Sequence, residues 1–316
     1  MILVAPGLLA HPSACGAQPA FARLAHYAGA PVVDADGLTM LTCATLGLAH
    51  APPVAAFMAA GVGLDCGSDY WLKADPVTLT AGRSNVRLAG RVDDLDADET
   101  HELLTALNAH FHGDGVTFVA PRPDTWLARV SGAPDLVTTP LARVQQGELH
   151  AELPRGSAGP QWRRWQDEIQ MLLHGHPVNS AREARGAAIA NAVWFWGGGR
   201  LADAGAVPGL DVDAPEGAIG DLLRGIARTA PAGELTPRRR VFGYARPDSD
   251  AVIELFATRA LEPAIAALEH HQAPQLDVVT DGAGAAVAWR IHPPSLLQRV
   301  SARVRARPFE IPTDVQ

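Results

Sequence analysis

The second half of the sequence alternates apolar runs with amphipathic stretches, and this alternation constrains the fold more than any other feature. The segments are Val207–Val212, Glu216–Arg228, Arg240–Tyr244, Asp250–His270, Leu276–Thr280 and Ala285–Ile291. Short apolar runs predict buried strands, and the longer amphipathic stretches predict helices. Strands that alternate with helices form β-α-β units, whose strands lie parallel in one sheet. We therefore expect an α/β fold with a mostly parallel sheet.

A segment with a different pattern of apolar residues, from about Tyr70 to Leu153, interrupts this alternation. Its strand-like runs are Pro76–Thr80, Asn85–Leu88, Val116–Ala120, Trp126–Val130 and Glu148–Leu153. Between them, Asp96–Phe111 has helical spacing, and Asp96 with Glu99 has the spacing of a capping box. The sequence thus predicts a smaller α+β insertion at 71–159, within an α/β core formed by 1–70 and 160–316.

Charge and cysteine content narrow the functional classes. The formal net charge of −8 argues against general affinity for nucleic acid or an anionic membrane. Cys15, Cys43 and Cys66 are widely spaced and form no C-x-x-C pair, which favours a reducing compartment. The N-terminus has no basic stretch before its short apolar run, so we expect no export signal. The predicted location is the cytoplasm.

No Asp, Glu, Lys or Arg lies between Asp36 and Asp65, which raises the question of a membrane span. A membrane helix needs about 20 mostly apolar residues. Pro52 and Pro53 interrupt the stretch in its middle. We therefore predict two core helices on either side of this proline pair and no membrane partner.

Two histidines, His174 and His176, form an H-x-H pair. Two imidazoles at this spacing can bind one metal when the segment is extended. The nearest further candidate ligand is Glu168, six residues upstream on a predicted helix. The alternative is that histidine lies at a helix C-terminus, where it complements the helix dipole.

A second polar group consists of Asn179, Arg182, Arg185 and Asn191. Asn179 precedes a predicted helix, Ala181–Ala188, and is a candidate N-cap. Arg182 would then lie near a helix N-terminus, whose backbone N–H groups favour an anion. An arginine in this position is suited to hold a phosphate or a carboxylate. The alternative is an ordinary cap with solvated arginines.

The least ordinary segment is the predicted strand Ala190–Phe195, which continues through Trp196 into three glycines and Arg200. Alternation along a strand places Trp194 and Trp196 on one face. Glycines at a strand end let a ligand or another backbone approach closely, and ligands bind at the carboxyl ends of strands in open α/β sheets. A glycine cluster also makes ordinary turns, so both interpretations stay open.

These residues together resemble a known family. The pattern H-P-V-N, R, G, N-x-x-W-x-W-G-x-G is carried here by His176, Pro177, Val178, Asn179, Arg182, Gly186, Asn191, Trp194, Trp196, Gly197 and Gly199. It resembles archaeal-type cofactor-independent phosphoglycerate mutases of the alkaline phosphatase superfamily, and more closely their bacterial Rpf-type (E type) regulatory-protein branch. Asp75-Pro-Val-Thr-Leu79 is similar to the family's D-P-V-H-L. The resemblance implies an alkaline-phosphatase-like core.

The same resemblance implies two divalent metals held by Asp and His, with a Ser nucleophile, and here the sequence departs from it. The first strand should end in an acidic residue, but Ala5-Pro-Gly-Leu8 follows it. The later metal block is reduced to Arg246-Pro-Asp248-Ser-Asp250, which has no His, and Gly282 follows Asp281 where His is expected. Two metals need more ligands than Asp248 and Asp281.

Three hypotheses follow. The first is a degenerate relative with a regulatory role and without a cofactor, which binds a small phosphorylated or carboxylate metabolite. Its predicted substrate-binding residues are His176, Asn179, Arg182, Asn191, Trp194, Trp196, Gly197, Gly199 and Arg200. The second is an active mutase or phosphatase with Mn²⁺ or Zn²⁺ on rearranged ligands. Candidate metal ligands are His174, His176, Asp248, Asp281 and His292. The third is a scaffold protein in which the tryptophan-glycine segment is a packed core turn. The sequence leaves the oligomeric state open.

Overall fold

The computed structural model describes residues 1–48, 51–81, 86–144, 149–205, 209–230, 238–282 and 285–304. The strands are β1 Ile2–Ala5, β2 Val32–Asp34, β3 Tyr70–Ala81, β4 Val86–Arg91, β5 Val116–Arg122, β6 Thr125–Val130, β7 Ala192–Gly199, β8 Leu210–Asp213, β9 Arg239–Gly243, β10 Leu276–Asp281 and β11 Ala286–Ile291. The helices are α1 Pro12–Ala17, α2 Pro19–Tyr27, α3 Leu38–Leu46, α4 Val54–Gly61, α5 Ala97–His110, α6 Leu141–Val144, α7 Gly159–His174, α8 Pro177–Ala184, α9 Ala218–Thr229, α10 Asp250–Phe256, α11 Glu262–Glu269 and α12 Leu296–Val304. Single turns of 3₁₀-helix lie at Leu8–Ala10, Leu149–Glu152 and Leu201–Asp203, and a π-helical turn at Ala257–Leu261 joins α10 to α11.

The chain divides into two compact units, and the first comprises 1–48 and 207–316. Its six-stranded sheet has the order β2-β11-β10-β1-β9-β8. The pairs β10–β1, β1–β9 and β9–β8 are parallel, whereas β11 is antiparallel to both of its neighbours. Every residue of β1 is buried, which agrees with its continuous apolar sequence. The predicted α/β class with a mostly parallel sheet is confirmed.

The second unit, 49–206, is an antiparallel sheet with helices, and it is wider than the predicted insertion at 71–159. The added part belongs to it because β7 pairs with β3 from Ala192 opposite Val77 to Gly199 opposite Trp71. Helix α4 packs against the same two strands. One side of the sheet carries an aromatic core that includes Trp126, Trp162 and Phe195.

Local signals in the sequence predicted several elements correctly. Asp96 caps α5 in a complete capping box with Glu99. The uncharged stretch forms two buried helices, and Pro53 is the N-cap of the second, α4. None of the described helices is both long enough and apolar enough to cross a bilayer.

Other boundaries differ from the prediction. The strand expected at Glu148–Leu153 is a 3₁₀ turn over its described residues Leu149–Glu152, none of which is buried against a sheet. Helix α8 begins at Pro177, earlier than expected, because proline suits the first helical turn, and His176 rather than Asn179 is its N-cap. Asn85, Val207 and Pro208, at the ends of two predicted strands, lie outside the described residues.

Candidate functional site

The carboxyl ends of four parallel strands meet at one edge of the sheet in the first unit. These strands end at Ala5 of β1, Asp213 of β8, Gly243 of β9 and Asp281 of β10. Ligands of open α/β sheets bind in the crevice outside such an edge. A ligand is therefore expected to bind at this edge.

A tight turn after β1 is fixed to the end of β10. Gly7 has the positive φ of 74°, which favours glycine. Its backbone N–H donates to Asp281 Oδ1 at 2.5 Å, and the N–H of Leu8 donates to Thr280 Oγ1 at 3.3 Å. The turn is thus held by two side chains that come from the neighbouring strand.

Arg246, which follows β9, lies against this turn. A Cβ placed on Gly7 would come within 2.9 Å of Arg246 Cγ and 3.3 Å of its Nη1, so only glycine leaves room for the side chain. Arg246 Nη2 donates to Asp281 Oδ2 at 3.3 Å. The arginine side chain is 64% exposed. Within the described part of the chain, Asp281 is its only polar partner.

The resemblance implies divalent metals at this edge, and the residues present do not fit them. One carboxylate oxygen of Asp281 accepts from a backbone N–H, and the other accepts from a guanidinium. The positive charge of the guanidinium repels a dication. Asp248 accepts from Ser249 Oγ at 3.0 Å, and no described contact joins it to Asp281. Among the described residues, no three His, Cys, Asp or Glu side chains are grouped to hold a metal.

The two candidate histidine ligands lie in the second unit at adjoining helix ends. His174 is the last residue of α7 and is exposed, as expected for a histidine at a helix C-terminus. His176 caps α8, and its Nδ1 accepts from the N–H of Val178 at 3.3 Å. A nitrogen that accepts this bond carries no proton and is directed at the backbone.

Arg182 is fully buried and engaged by acidic partners. Its Nε donates to Ala188 O at 2.6 Å, its Nη1 to Glu99 Oε2 at 2.6 Å, and its Nη2 to Asp94 Oδ1. Arg185 Nη2 donates to the other oxygen of Glu99. The guanidinium of Arg182 therefore joins α8 to the start of α5, and its donors are occupied by the protein itself.

The two asparagines of the predicted pocket join backbone segments. Asn179 donates to Leu173 O at 2.8 Å and to Ala190 O at 2.9 Å, and its oxygen accepts from Ala190 N at 2.9 Å. Asn191 accepts from Leu79 N at 2.7 Å and donates to Leu79 O at 2.8 Å. Both amides are satisfied by backbone groups, as buried amides usually are.

The tryptophan-glycine segment is packed from both sides. The Nε1 of Trp194 donates to Thr139 O at 2.8 Å, and that of Trp196 to Asp75 Oδ2 at 2.5 Å. A Cβ on Gly197 would lie 3.0 Å from Val54 Cβ, and one on Gly199 would lie 2.6 Å from Pro53 Cβ. The glycines therefore let α4 approach β7. Among the nine predicted substrate-binding residues, the structure does not show a group of free hydrogen-bond donors that face one point. Their contact with a ligand stays a prediction.

Arg200, the last residue of the predicted pocket, forms an exposed ion pair. Its Nε and Nη2 donate to the two oxygens of Asp203 at 2.8 Å and 3.0 Å. Hydrogen bonding from Arg200 lowers the pKa of the Asp203 carboxyl. Two parallel bonds occupy one edge of the guanidinium fork.

A buried ion pair that the sequence analysis did not anticipate lies on β3. The only lysine of the sequence, Lys73, has its Nζ 2.9 Å from Asp75 Oδ1, and both side chains are at most 3% exposed. Burial alone would raise the pKa of Asp75, but Lys73, Arg91 and the hydrogen bond from Trp196 outweigh it, and the pKa lies below its usual value. The carboxylate is thus ionised, with the cations of Lys73 and Arg91 near one oxygen and the indole N–H of Trp196 donating to the other.

Two signals for these missed residues were present in the sequence. Lys73 and Asp75 are two residues apart on a strand, so their side chains point to the same face. Arg246 follows a predicted strand at its carboxyl end, where a ligand contact is expected, although its sequence neighbours resemble only an incomplete metal block.

Comparison with known proteins gives a distant likeness. The sequence matches no protein-family model and no curated protein. Among solved structures, the chain is similar to a cofactor-independent phosphoglycerate mutase from Thermoplasma acidophilum DSM 1728, with 17% identity, a TM-score of 0.40, and coverage of 93% of this chain and 89% of the other. It is also similar to the PH0037 protein of Pyrococcus horikoshii, with 15% identity, a TM-score of 0.44, and coverage of 92% and 86%.

The buried pair on β3 predicts unequal effects of its two members on stability. We expect Asp75→Asn to lower the free energy of unfolding by about 3 kcal/mol or more, because Lys73 then stays buried without a counter-charge. Lys73→Met should lower the free energy of unfolding by less. Methionine fills the space of the lysine side chain, and Arg91 and Trp196 still contact Asp75. Urea denaturation at neutral pH measures both. Equal losses would contradict this account of the pair.

The Glu99 carboxylate predicts a pH dependence. Burial would raise its pKa, but hydrogen bonds from Arg185, the Asp96 backbone and Arg182 lower it below the ordinary value of 4.5. A lowered folded-state pKa means that the stabilisation is complete above pH 4.5 and is lost as the pH falls through the folded-state value. We therefore expect Glu99→Gln to be less stable than wild type at neutral pH, and the difference to shrink on acidification below pH 4.5.

Denaturant unfolding of wild type and Glu99→Gln across this pH range checks the expectation. Glu102→Gln is the matched control, because Glu102 is an exposed glutamate on the same helix. A stability difference for Glu99→Gln that stays constant with pH, or one that Glu102→Gln reproduces, would show that the ion pairs are not its origin.

Proposed function

We propose that this chain is a phosphoglycerate mutase-like protein that binds a small phosphorylated or carboxylate metabolite at the carboxyl edge of the sheet in the first unit. Binding without phosphoryl transfer is the activity that the residues at this edge support. The observation that carries the proposal is the position of Arg246, which lies over the Gly7 turn, mostly exposed, and is held by Asp281 alone among the described residues.

Arg246 is better suited to this task than the other arginines of interest. Arg182 is buried, with its nitrogens donating to Asp94, Glu99 and Ala188. Arg200 donates twice to Asp203, which occupies one edge of its fork. Arg246 donates once, at 3.3 Å, through Nη2. Its Nε and Nη1 remain for a phosphate or carboxylate, whose paired oxygens match the guanidinium geometry.

Asp281 supports binding by positioning the arginine. Its second oxygen is fixed by the Gly7 N–H, so the carboxylate has a defined orientation when it accepts from Arg246. A side chain whose orientation is fixed before binding loses less conformational entropy when the ligand arrives. Because the ligand and Asp281 carry charges of the same sign, we expect moderate rather than tight binding.

The sequence resemblance supports the choice of ligand. The mutases that it implies act on phosphorylated three-carbon acids, which carry both a phosphate and a carboxylate. A relative that presents Arg246 to such anions, with Asp281 bound to Arg246 instead of a metal, would sense the metabolite, and a regulatory role by metabolite binding is part of the proposal. An active mutase with rearranged ligands is the alternative that the donor set at this edge supports less.

A scaffold function also has one observation in its favour. Close packing of Gly197 and Gly199 against α4 gives the tryptophan-glycine segment a structural task that needs no ligand. This interpretation concerns the second unit, and it is compatible with an anion site in the first.

Removal of Arg246 tests the proposal. We expect wild-type protein to bind 3-phosphoglycerate in calorimetric titrations, and Arg246→Ala to bind it about 10- to 100-fold more weakly, which corresponds to the loss of a charge-assisted hydrogen bond. Arg200→Ala is the matched control, because it removes another exposed arginine that is paired with an aspartate. Its affinity should equal that of wild type.

Three other outcomes would change this assignment of the binding site or of the function. Loss of binding in Arg200→Ala but not in Arg246→Ala would place the anion at the tryptophan-glycine segment, as the sequence analysis expected. Absence of binding to wild type, with inorganic phosphate and glycerate also silent, would contradict a metabolite site and favour the scaffold interpretation. Turnover of 3-phosphoglycerate with added Mn²⁺ would show that the protein is an enzyme.

A further inference from the structure

The second unit contains a cavity of about 360 Å³, open to solvent, that no part of the proposed function uses. Its walls include Leu64, Asp65, Asp69, Trp71, Thr117 and Arg129. This volume is at the lower end of the range for small-molecule sites in proteins. We infer that the cavity is a second ligand site, which binds a small organic amine with an apolar or hydroxylated body.

The register of the sheet fixes the cavity wall. Trp71 of β3 lies opposite Arg129 of β6, and Arg129 lies opposite Thr117 of β5. Directly paired residues project from the same face of a sheet, so these three side chains form one row across three strands. Val119, two residues beyond Thr117, projects from the same face and extends the wall. One wall of the site is therefore built on strands, and the loop between α4 and β3 supplies Leu64, Asp65 and Asp69.

Two carboxylates line the cavity, and each has one oxygen engaged by the protein. The Nε of Arg129 donates to Asp69 Oδ2 at 2.5 Å, and its Nη2 pairs with the same oxygen. Asp65 Oδ1 accepts from Gly67 N at 3.1 Å. Within the described residues, no donor reaches the second oxygen of either carboxylate. The hydroxyls of Thr117 and Ser131, which also line the cavity, have no described partner either.

This arrangement selects the sign of the ligand. Two carboxylates and one guanidinium give the wall a negative balance, and the single cation is already paired with Asp69. A ligand that brings N–H donors and a positive charge satisfies the free carboxylate oxygens, whereas the two carboxylates repel an anion. Leu64, Trp71 and Val119 provide apolar surface for the body of the ligand, and an indole also attracts a cation.

A series of probes with the same shape and different charge tests this inference. Tyramine carries an ammonium, 4-ethylphenol is its neutral counterpart, and 4-hydroxyphenylacetate carries a carboxylate. Calorimetric titration of the full chain should give binding to tyramine, weaker binding to the phenol, and the weakest to the carboxylate. Asp65→Asn, which keeps the acceptor for Gly67, should weaken tyramine binding about tenfold.

Two further variants locate the site. Leu64→Arg places a cation in the cavity and should abolish tyramine binding, while Asp98→Asn, at an exposed aspartate outside the cavity, should leave it unchanged. Thermal unfolding establishes that each variant is folded. No binding of tyramine to wild type, equal binding of all three probes, or unchanged affinity in folded Asp65→Asn would each overturn the inference. Because Arg246 lies in the other unit, Arg246→Ala should bind tyramine like wild type even if the anion proposal fails.

Discussion

A charge that is removed from water must be paired, and the second unit depends on two such pairings. Lys73 is neutralised by Asp75, whose other oxygen accepts from Trp196 and so joins β3 to β7. Arg182 is neutralised by Glu99 and Asp94 and so joins α8 to α5. The Asp75–Trp196 and Arg182–Glu99 contacts thus connect elements that are distant in the sequence. Arg182 and Trp196, two residues of the predicted anion pocket, are therefore part of the framework that holds this unit together.

The first unit uses a carboxylate differently. Asp281 divides its two oxygens between the Gly7 turn and Arg246, and so connects the end of β10 with the segments that follow β1 and β9. These contacts lie at the carboxyl edge of a parallel sheet, where strand ends leave backbone and side chains free to face a ligand. The pairing here is exposed rather than buried, which keeps its donors available. Burial thus separates the structural arginine, Arg182, from the one that we propose for binding.

Local patterns in the sequence predicted helices and strands well, but they predicted the contacts between distant side chains poorly. The capping box at Asp96 and the strands of the parallel sheet follow from spacings of a few residues, and the structure has both. Alternation also predicted that Trp194 and Trp196 share a face. The partners of Arg182 lie 83 and 88 residues away, and Asp281 lies 274 residues from Gly7, so no spacing rule could reveal them. A donor that looks free in sequence is free in the fold only if no distant acceptor reaches it.

The net charge of the chain acts oppositely on the two sites that we propose. With a formal charge of −8, the long-range field attracts cations and repels anions. Anion binding at Arg246 must therefore rest on short-range hydrogen bonds that overcome this field, while amine binding beside Asp65 gains from it. Salt screens the field over about 10 Å at 0.1 M but affects direct contacts less. Added salt should consequently strengthen anion binding at Arg246 and weaken amine binding beside Asp65. The two kinds of binding therefore have separate physical origins within one chain.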